Sequence, residues 1–134
     1  MAGWEVLEVT SSRRVEIVDV TPQLTAVCGR APRRDGLLIA VCGHTTAGLI
    51  VNEAESRLLE DLQGALERLV PQGQAYAHNA VDDNADAHLR AILLGHSVCV
   101  PVESGRPVLG TWQRILLVEL DGPRRRTVRA GVWP

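Results

Sequence analysis

The sequence predicts an α+β fold: a two-layer arrangement in which a mixed or antiparallel sheet of about seven or eight strands is covered by two or three helices. Short alternating or β-branched runs recur from one end of the chain to the other. Helical periodicity is confined to a few stretches, and the order of elements is not a repeating strand–helix–strand. With 134 residues, the chain fits one domain spanning 1–134, large enough for a real core.

Each element has its own signal. Residues 4–10 and 15–20 read as two strands around the polar segment 11–14, which suggests a hairpin. Thr21-Pro22 reads as a cap followed by proline at the first helical position, so a short helix should run toward Cys28. The continuous apolar run 36–41 suggests a central strand, and 47–52 the next one. From 53 to 70, Ala54, Leu58, Leu62, Ala65, Leu66 and Leu69 recur at helical spacing until Pro71 and Gly73, with Asn52 as the expected cap. A further helix should start at Asp83 or Asn84 and stop at Gly95, with Ala85, Leu89, Ile92 and Leu93 as its apolar stripe. Residues 97–102 form a strand whose Pro101 lacks a ladder donor, so it should lie at an edge or carry a bulge. Residues 108–113 and 114–120 read as strand material, 121–124 as a hairpin turn and 125–132 as the closing strand. Trp112 is expected in the core or at an interface, or stacked on a ligand; Glu119 and Asp121 are expected in a turn at the surface.

Composition excludes several function classes. The net charge of −2 argues against general nucleic-acid binding. Every basic side chain is an arginine, which removes Schiff-base and P-loop lysine chemistry. No apolar run reaches the length of a membrane span, and the first residues carry no secretory signal. Cys28, Cys42 and Cys99 are odd in number and widely spaced, as expected of reduced thiols in a cytoplasmic protein.

The densest chemistry lies between Tyr76 and Gly95, where His78, His88, Asp82, Asp83, Asp86, Asn79 and Asn84 crowd into a loop and a helix start. One other place competes, the turn Cys42-Gly43-His44-Thr45-Thr46, and the two are expected to meet in space. Capping explains Asp83, Asn84 and Asp86 one at a time, but caps do not need two histidines. Three histidines with an open water position are what a catalytic zinc-type site requires, and a nearby aspartate would orient them. His96, just past the helix stop, is expected to have no special role.

Several stretches carry a resemblance. His44-Thr-Thr-Ala-Gly-Leu-Ile-Val-Asn52-Glu53, Tyr76-x-His78, Asn84-Ala-Asp-Ala-His88, Leu109-Gly-Thr-Trp-Gln113 and Glu119-Leu-Asp-Gly-Pro-Arg124 together resemble the YjbQ family, labelled secondary thiamine-phosphate synthase enzymes. The resemblance covers nearly the whole chain. It implies a two-layer α+β subunit assembled as a trimer, with sites near subunit boundaries. It further implies a divalent metal, zinc in the histidine site or Mg²⁺ with a pyrophosphate substrate, held by His44, His78 and His88. The implied activity is a weak joining of a pyrimidine pyrophosphate to a thiazole phosphate.

Chemistry and resemblance together give Asp86, Asn84 and Glu53 as catalytic candidates. Thr45, Thr46, Asn52, Arg106, Gly110, Thr111, Trp112 and Gln113 are the substrate-binding candidates, with Arg114 a further cation for a leaving pyrophosphate. A small-molecule substrate is expected in each enzymatic case. Two alternatives stand beside the transferase: a metal-dependent hydrolase or lyase of a small phosphorylated or carbonyl compound, and a non-catalytic metal- or ligand-binding protein.

Overall fold

Strands and helices follow one another as β1 (Glu5–Thr10), β2 (Glu16–Asp19), α1 (Thr21–Arg30), β3 (Gly36–Cys42), β4 (Ala47–Asn52), α2 (Ser56–Leu69), α3 (Ala85–Leu94), β5 (Ser97–Glu103), β6 (Arg106–Pro107), β7 (Arg114–Glu119) and β8 (Arg125–Trp133). A 3-10 turn, Ala77–Ala80, precedes α3. The structure, a computed structural model, describes residues 3–134. Met1 and Ala2, part of the segment from which the absence of a secretory signal is read, lie outside them.

The α+β class and the numbers of strands and helices agree with expectation, but the strands divide between two antiparallel sheets. Five strands run in the order β1-β8-β3-β5-β6, and three in the order β2-β7-β4. The expected hairpins at 11–14 and 121–124 are therefore crossings from one sheet to the other. β1 pairs with β8, while β2 pairs with β7. The two crossings tie to each other: the Ser11 N–H donates to the Arg124 carbonyl at 2.9 Å, and Gly122 N–H to the Arg14 carbonyl at 2.9 Å. Each crossing thereby finds backbone partners that a hairpin turn would have supplied internally.

Between the sheets lies the main core, with Leu38, Ala40, Val100, Val128 and Ala130 from one side and Leu49, Ile115 and Leu117 from the other. Helix α1 adds Leu24, Val27 and Cys28 to the same cluster. On the far side of the three-stranded sheet, Val118 and Leu120 pack with Leu66 of α2 and Ala87 and Ala91 of α3. Alternation along β7 sends Ile115 and Leu117 one way and Val118 the other, so this strand is covered on both faces. Each fully buried Leu or Ile contributes about 2 kcal/mol. Pro101 sits in β5, which has only the two-residue β6 outside it, close to the expected edge.

Several local readings change. Residues 108–113 form a loop and turn, with strand beginning only at Arg114. Asn52 does not cap α2; Glu55 does, its carboxylate accepting from Leu58 N–H at 2.8 Å. The buried face of α3 is Ala85, Asp86, Ala87, Arg90 and Ala91, so the helix is turned away from the expected stripe, with Leu89, Ile92 and Leu93 exposed. Packing is close where the helix ends. A Cβ placed on Gly48 of β4 would lie 2.8 Å from the Gly95 carbonyl and 3.2 Å from Leu94 Cβ, so the end of the helix meets the strand where only glycine leaves room.

Candidate functional site

The two chemistry-rich stretches do meet. The Leu49 N–H donates to the Gly95 carbonyl at 3.1 Å and the Cys42 N–H to the His96 carbonyl at 2.7 Å, pinning the C-terminal end of α3 beside the β3–β4 turn. Gly95 makes that possible with φ of 91°, a conformation favoured by glycine. The pocket so formed, about 540 Å³, is lined by Cys42, His44, Thr45, His88, Ile92 and His96 among others. A second pocket of about 380 Å³ is lined by Tyr76, Ala77, His78, Ala85, His88 and Leu89. His88 belongs to both.

His78 and His88 are in edge contact, their ring centroids 4.7 Å apart at an interplanar angle of 73°. His78 is oriented by Asn84: Nε2 lies 3.1 Å from Asn84 Oδ1. Asn84 Nδ2 in turn donates to Asp121 Oδ2 at 2.9 Å. Asn84 stands at the N-cap position of α3 but makes no side-chain cap bond. That task falls to Asn79, whose Oδ1 accepts from Ala85 N–H at 3.0 Å. Asn84, 6% exposed, is thereby free to face the histidine.

His44 is used differently. Strand β3 ends at Cys42, opposite Val128, and the next amide along β8, Thr127 N–H, donates to His44 Nε2 at 2.9 Å. The imidazole takes the place of a strand carbonyl. With that lone pair engaged, the neutral ring carries its proton on Nδ1. Burial, followed by the nearby Arg126 guanidinium, pushes His44 below the ordinary histidine pKa. A metal bound to His44 would take either the lone pair that the Thr127 amide now occupies or the Nδ1 position, with the ring proton moved to Nε2, which lies 3.3 Å from Thr127 Oγ1. Among the described residues, no three His, Cys, Asp or Glu side chains gather at metal-ligand spacing.

Beneath the turn lies an ion pair that the sequence did not suggest. Glu119, expected at the surface, is fully buried between the sheets and bound by Arg126 through both of its oxygens. Ser11 Oγ donates to Glu119 Oε1 at 2.7 Å, and the Leu120 and Asp121 amides to Oε2 at 3.0 Å each. Burial pushes this carboxyl up, but the bonds from Arg126 and Ser11 outweigh it and hold it below the usual carboxylate range. Arg126 also donates to Thr46 Oγ1 at 2.9 Å and to the Thr46 carbonyl at 3.1 Å, which fixes the turn carrying His44. Thr46 is therefore a buried anchor, whereas Thr45 is exposed and lines the larger pocket.

Other predicted residues are not brought to the histidines. Both oxygens of Asp86 accept from Arg14 at 3.0 Å, and Arg90 Nη1 lies 3.6 Å away; this carboxylate, 2% exposed, sits in an interior ion pair. Asp82 and Asp83 are exposed. Asn52 and Glu53 line a small cavity with Ile50, Leu58, Leu59 and Leu62. Register places that cavity at the far end of β4: Ala47 pairs with Glu119 but Asn52 with Arg114. At about 3.3 Å per residue the two ends are about 17 Å apart. The loop of Gly110, Thr111, Trp112 and Gln113 precedes Arg114, so it belongs to this far end too. Its turn is closed by Gly110 N–H donating to Gln113 Oε1 at 2.8 Å. Trp112 is not in the core, being 71% exposed. Arg114 pairs with Asp19 at 2.7 Å. Arg106 is exposed at the end of β5–β6, where Gly36 begins β3, at the other end of that strand from Cys42.

Two participants escaped the sequence reading. His96 lines the larger pocket because the chain doubles back at Gly95, and the helix stop directly before it was the available signal. Asp121 is half-buried behind Asn84, a placement set by the crossing between sheets and invisible in local pattern.

Comparison with known proteins gives one consistent result. The model of the family described as "UPF0047 protein YjbQ-like" matches residues 5–134. A UPF0047 protein of Archaeoglobus fulgidus is 52% identical over 122 residues, covering 91% of this chain and 94% of the relative. YugU of Bacillus subtilis, another UPF0047 protein, is 33% identical, covering 92% and 93%. Among solved structures, a YbjQ-like protein of unknown function from Sulfolobus solfataricus superposes with a TM-score of 0.95 at 35% identity, covering 98% of this chain and 96% of that one. A hypothetical protein from Aeropyrum pernix gives 0.93 at 43% identity, with 98% of each chain covered. With the histidine-bearing segments of both pockets inside the matched region, the chain belongs to the YjbQ-like UPF0047 family.

Proposed function

We propose that this protein is an acid–base enzyme acting on a small molecule, with His78 and His88 as the proton-transferring groups. The observation that carries the reading is the His78–His88 contact at 4.7 Å, placed where two cavities share a wall. Two imidazoles at that spacing can take a proton from one substrate atom and return one to another near neutral pH. The larger cavity combines apolar walls from Cys42, Ala47, Ala91 and Ile92 with the polar groups of His44, Thr45, His88 and His96, which suits a small substrate with an apolar body and a polar reacting end. Proton transfer, hydrolysis and elimination on a carbonyl or phosphorylated compound all fall within this chemistry.

The thiamine-phosphate synthase-type transfer is the second reading, supported by family membership. Releasing pyrophosphate calls for concentrated positive charge. The arginines tied into the site's supporting network already face carboxylates: Arg14 and Arg90 face Asp86, Arg124 faces Asp121, and Arg126 faces Glu119. A divalent metal at the histidines stays a proposal of the same rank, as does a trimeric assembly, for which the exposed apolar residues of α3 argue. The three thiols are free, which supports a reducing, cytoplasmic setting. No helix is long and apolar enough to cross a membrane.

The test is a panel of small esters, phosphoesters and carbonyl substrates, with the pyrimidine pyrophosphate plus thiazole phosphate pair included. It is run on the wild type, His78→Ala, His88→Ala and His96→Ala, with metal content measured for each preparation. Loss of turnover by about 10²–10⁴-fold in the first two variants is expected, with a smaller loss in His96→Ala, which lines the larger pocket but carries no proton in this reading. Equal turnover in all four proteins would sink the histidine mechanism. Stoichiometric metal lost in His88→Ala would replace it with a metal-assisted one, and pyrophosphate release would favour the transferase.

A further inference from the structure

The hydrogen bonds around Asn84 run in one direction. Its amide lies between His78 Nε2, 3.1 Å from Oδ1, and Asp121 Oδ2, 2.9 Å from Nδ2. An ionised carboxylate only accepts, so the NH₂ of Asn84 must face Asp121. Turned the other way, two oxygens would oppose each other. The carbonyl oxygen of Asn84 is thereby aimed at His78, and that oxygen requires a proton on Nε2.

Asp121 is itself held in place. Arg124 Nη2 donates to the same Oδ2 at 3.1 Å and Arg124 Nε to the Asp121 carbonyl at 2.8 Å, while the Asp121 N–H reaches buried Glu119 at 3.0 Å. Asn84 is 6% exposed and the Asp121 side chain 16%, so water competes little for these bonds. Asp121 comes from the segment between β7 and β8, whereas Asn84 and His78 flank the start of α3; the chain has no local reason to bring them together.

We propose that Asp121, acting through Asn84, is a positioning residue that holds His78 as the Nε2–H tautomer and so leaves the Nδ1 lone pair free. The inference rests on the reading of His78 as a residue of the site, to which it adds which ring nitrogen is engaged by Asn84 and which keeps its lone pair free. No proton passes to Asp121. Its carboxylate fixes the amide, and the amide fixes the ring.

Ring tautomers are read directly by long-range ¹H–¹⁵N NMR of the full-length protein at mildly alkaline pH, where imidazole is neutral. Spectra would be taken of the wild type, Asp121→Leu, Asp121→Ser and Asp121→Asn. In the wild type, His78 should show a protonated Nε2 and an unprotonated Nδ1. In Asp121→Leu the amide of Asn84 is free to rotate and offer its NH₂ to the ring, so the Nδ1–H form should rise several-fold. Asp121→Asn, whose Oδ1 can still accept from Asn84, should restore the wild-type pattern. Asp121→Ser serves in place of the leucine variant if that chain does not fold, because the short hydroxyl does not reach Asn84 in the same way. A wild-type His78 protonated on Nδ1 would overturn the proposal, as would an unchanged tautomer in whichever of the leucine and serine variants folds. This readout does not depend on turnover. It can fail while His78 and His88 stay essential, and it can succeed in a protein that proves inactive on every substrate tried.

Discussion

His44 accepts the Thr127 amide through Nε2, and a ring bonded in that way cannot gain a proton there without losing the bond. Its pKa is lowered in the folded protein, first by burial and then by Arg126. The unfolded chain therefore binds this proton more readily than the native one. Stability from neutral His44 is complete above the ordinary value of about 6.5 and is lost as pH falls from there through the depressed native value. Urea midpoints measured from pH 8 down to 5 should fall more steeply for the wild type than for His44→Ala. The variant should start lower, by about 1 kcal/mol for the missing acceptor. Parallel curves would show that His44 is not the group responsible. At this scale the sequence was a partial guide. The cluster around Asn84 was legible as a cluster, but the division of labour inside it was not. Asn79 caps the helix and Asn84 holds the histidine, because the 3-10 turn brings Asn79 back to Ala85. Nothing in one-dimensional spacing distinguishes the two asparagines.

Element by element, strands and helices were legible wherever periodicity is decided locally, and misread where tertiary packing decides. Helix α3 shows why. Leu89, Ile92 and Leu93 carry the stronger apolar signal, yet the face against β4 is made of Ala87 and Ala91, with the Asp86–Arg90 pair beside it. Burial of that pair was not readable because its partner, Arg14, lies 72 residues away in the chain. The close approach at Gly48 holds the end of the helix against the strand, and it makes a prediction. In Gly48→Ala the new Cβ would meet the Gly95 carbonyl at 2.8 Å, so helix and strand must separate. The expected cost is about 1–3 kcal/mol, measured by chemical denaturation. Because Gly95 and His96 line the larger pocket, histidine NMR shifts for His88 and His96 should move in the same variant while Trp133 signals, at the far end of β3, stay put. A variant as stable as the wild type would mean that this contact relaxes freely and does not set the helix position.

For the molecule as a whole, the two-sheet arrangement converts a set of adjacent sequence motifs into groups at opposite ends of strand β4. The histidines gather where β3 ends and β4 begins; Asn52, Glu53 and the Gly110–Gln113 loop lie at the other end of β4. The sequence could not reveal this, since the sheet to which each strand belongs is settled by contacts such as Glu119 with Arg126 and not by strand propensity. The same arrangement leaves apolar side chains facing outward: Ile92 at 74% exposure and Leu93 at 63% on α3, with Leu89 beside them, and Trp112 in the far loop. A patch of this kind beside a candidate site is better explained by a covering partner than by a solvated surface. On the proposed trimer, light scattering should give a mass near three times the 14.5 kDa subunit. A single charge at Ile92 or Leu93 should then lower that mass, because a desolvated apolar contact near the centre of an interface tolerates an unpaired charge poorly. Ile92→Asp is the sharper choice, since Ile92 also lines the larger pocket and its substitution reports on assembly and site together. A wild-type protein that is monomeric at micromolar concentration would remove the trimer.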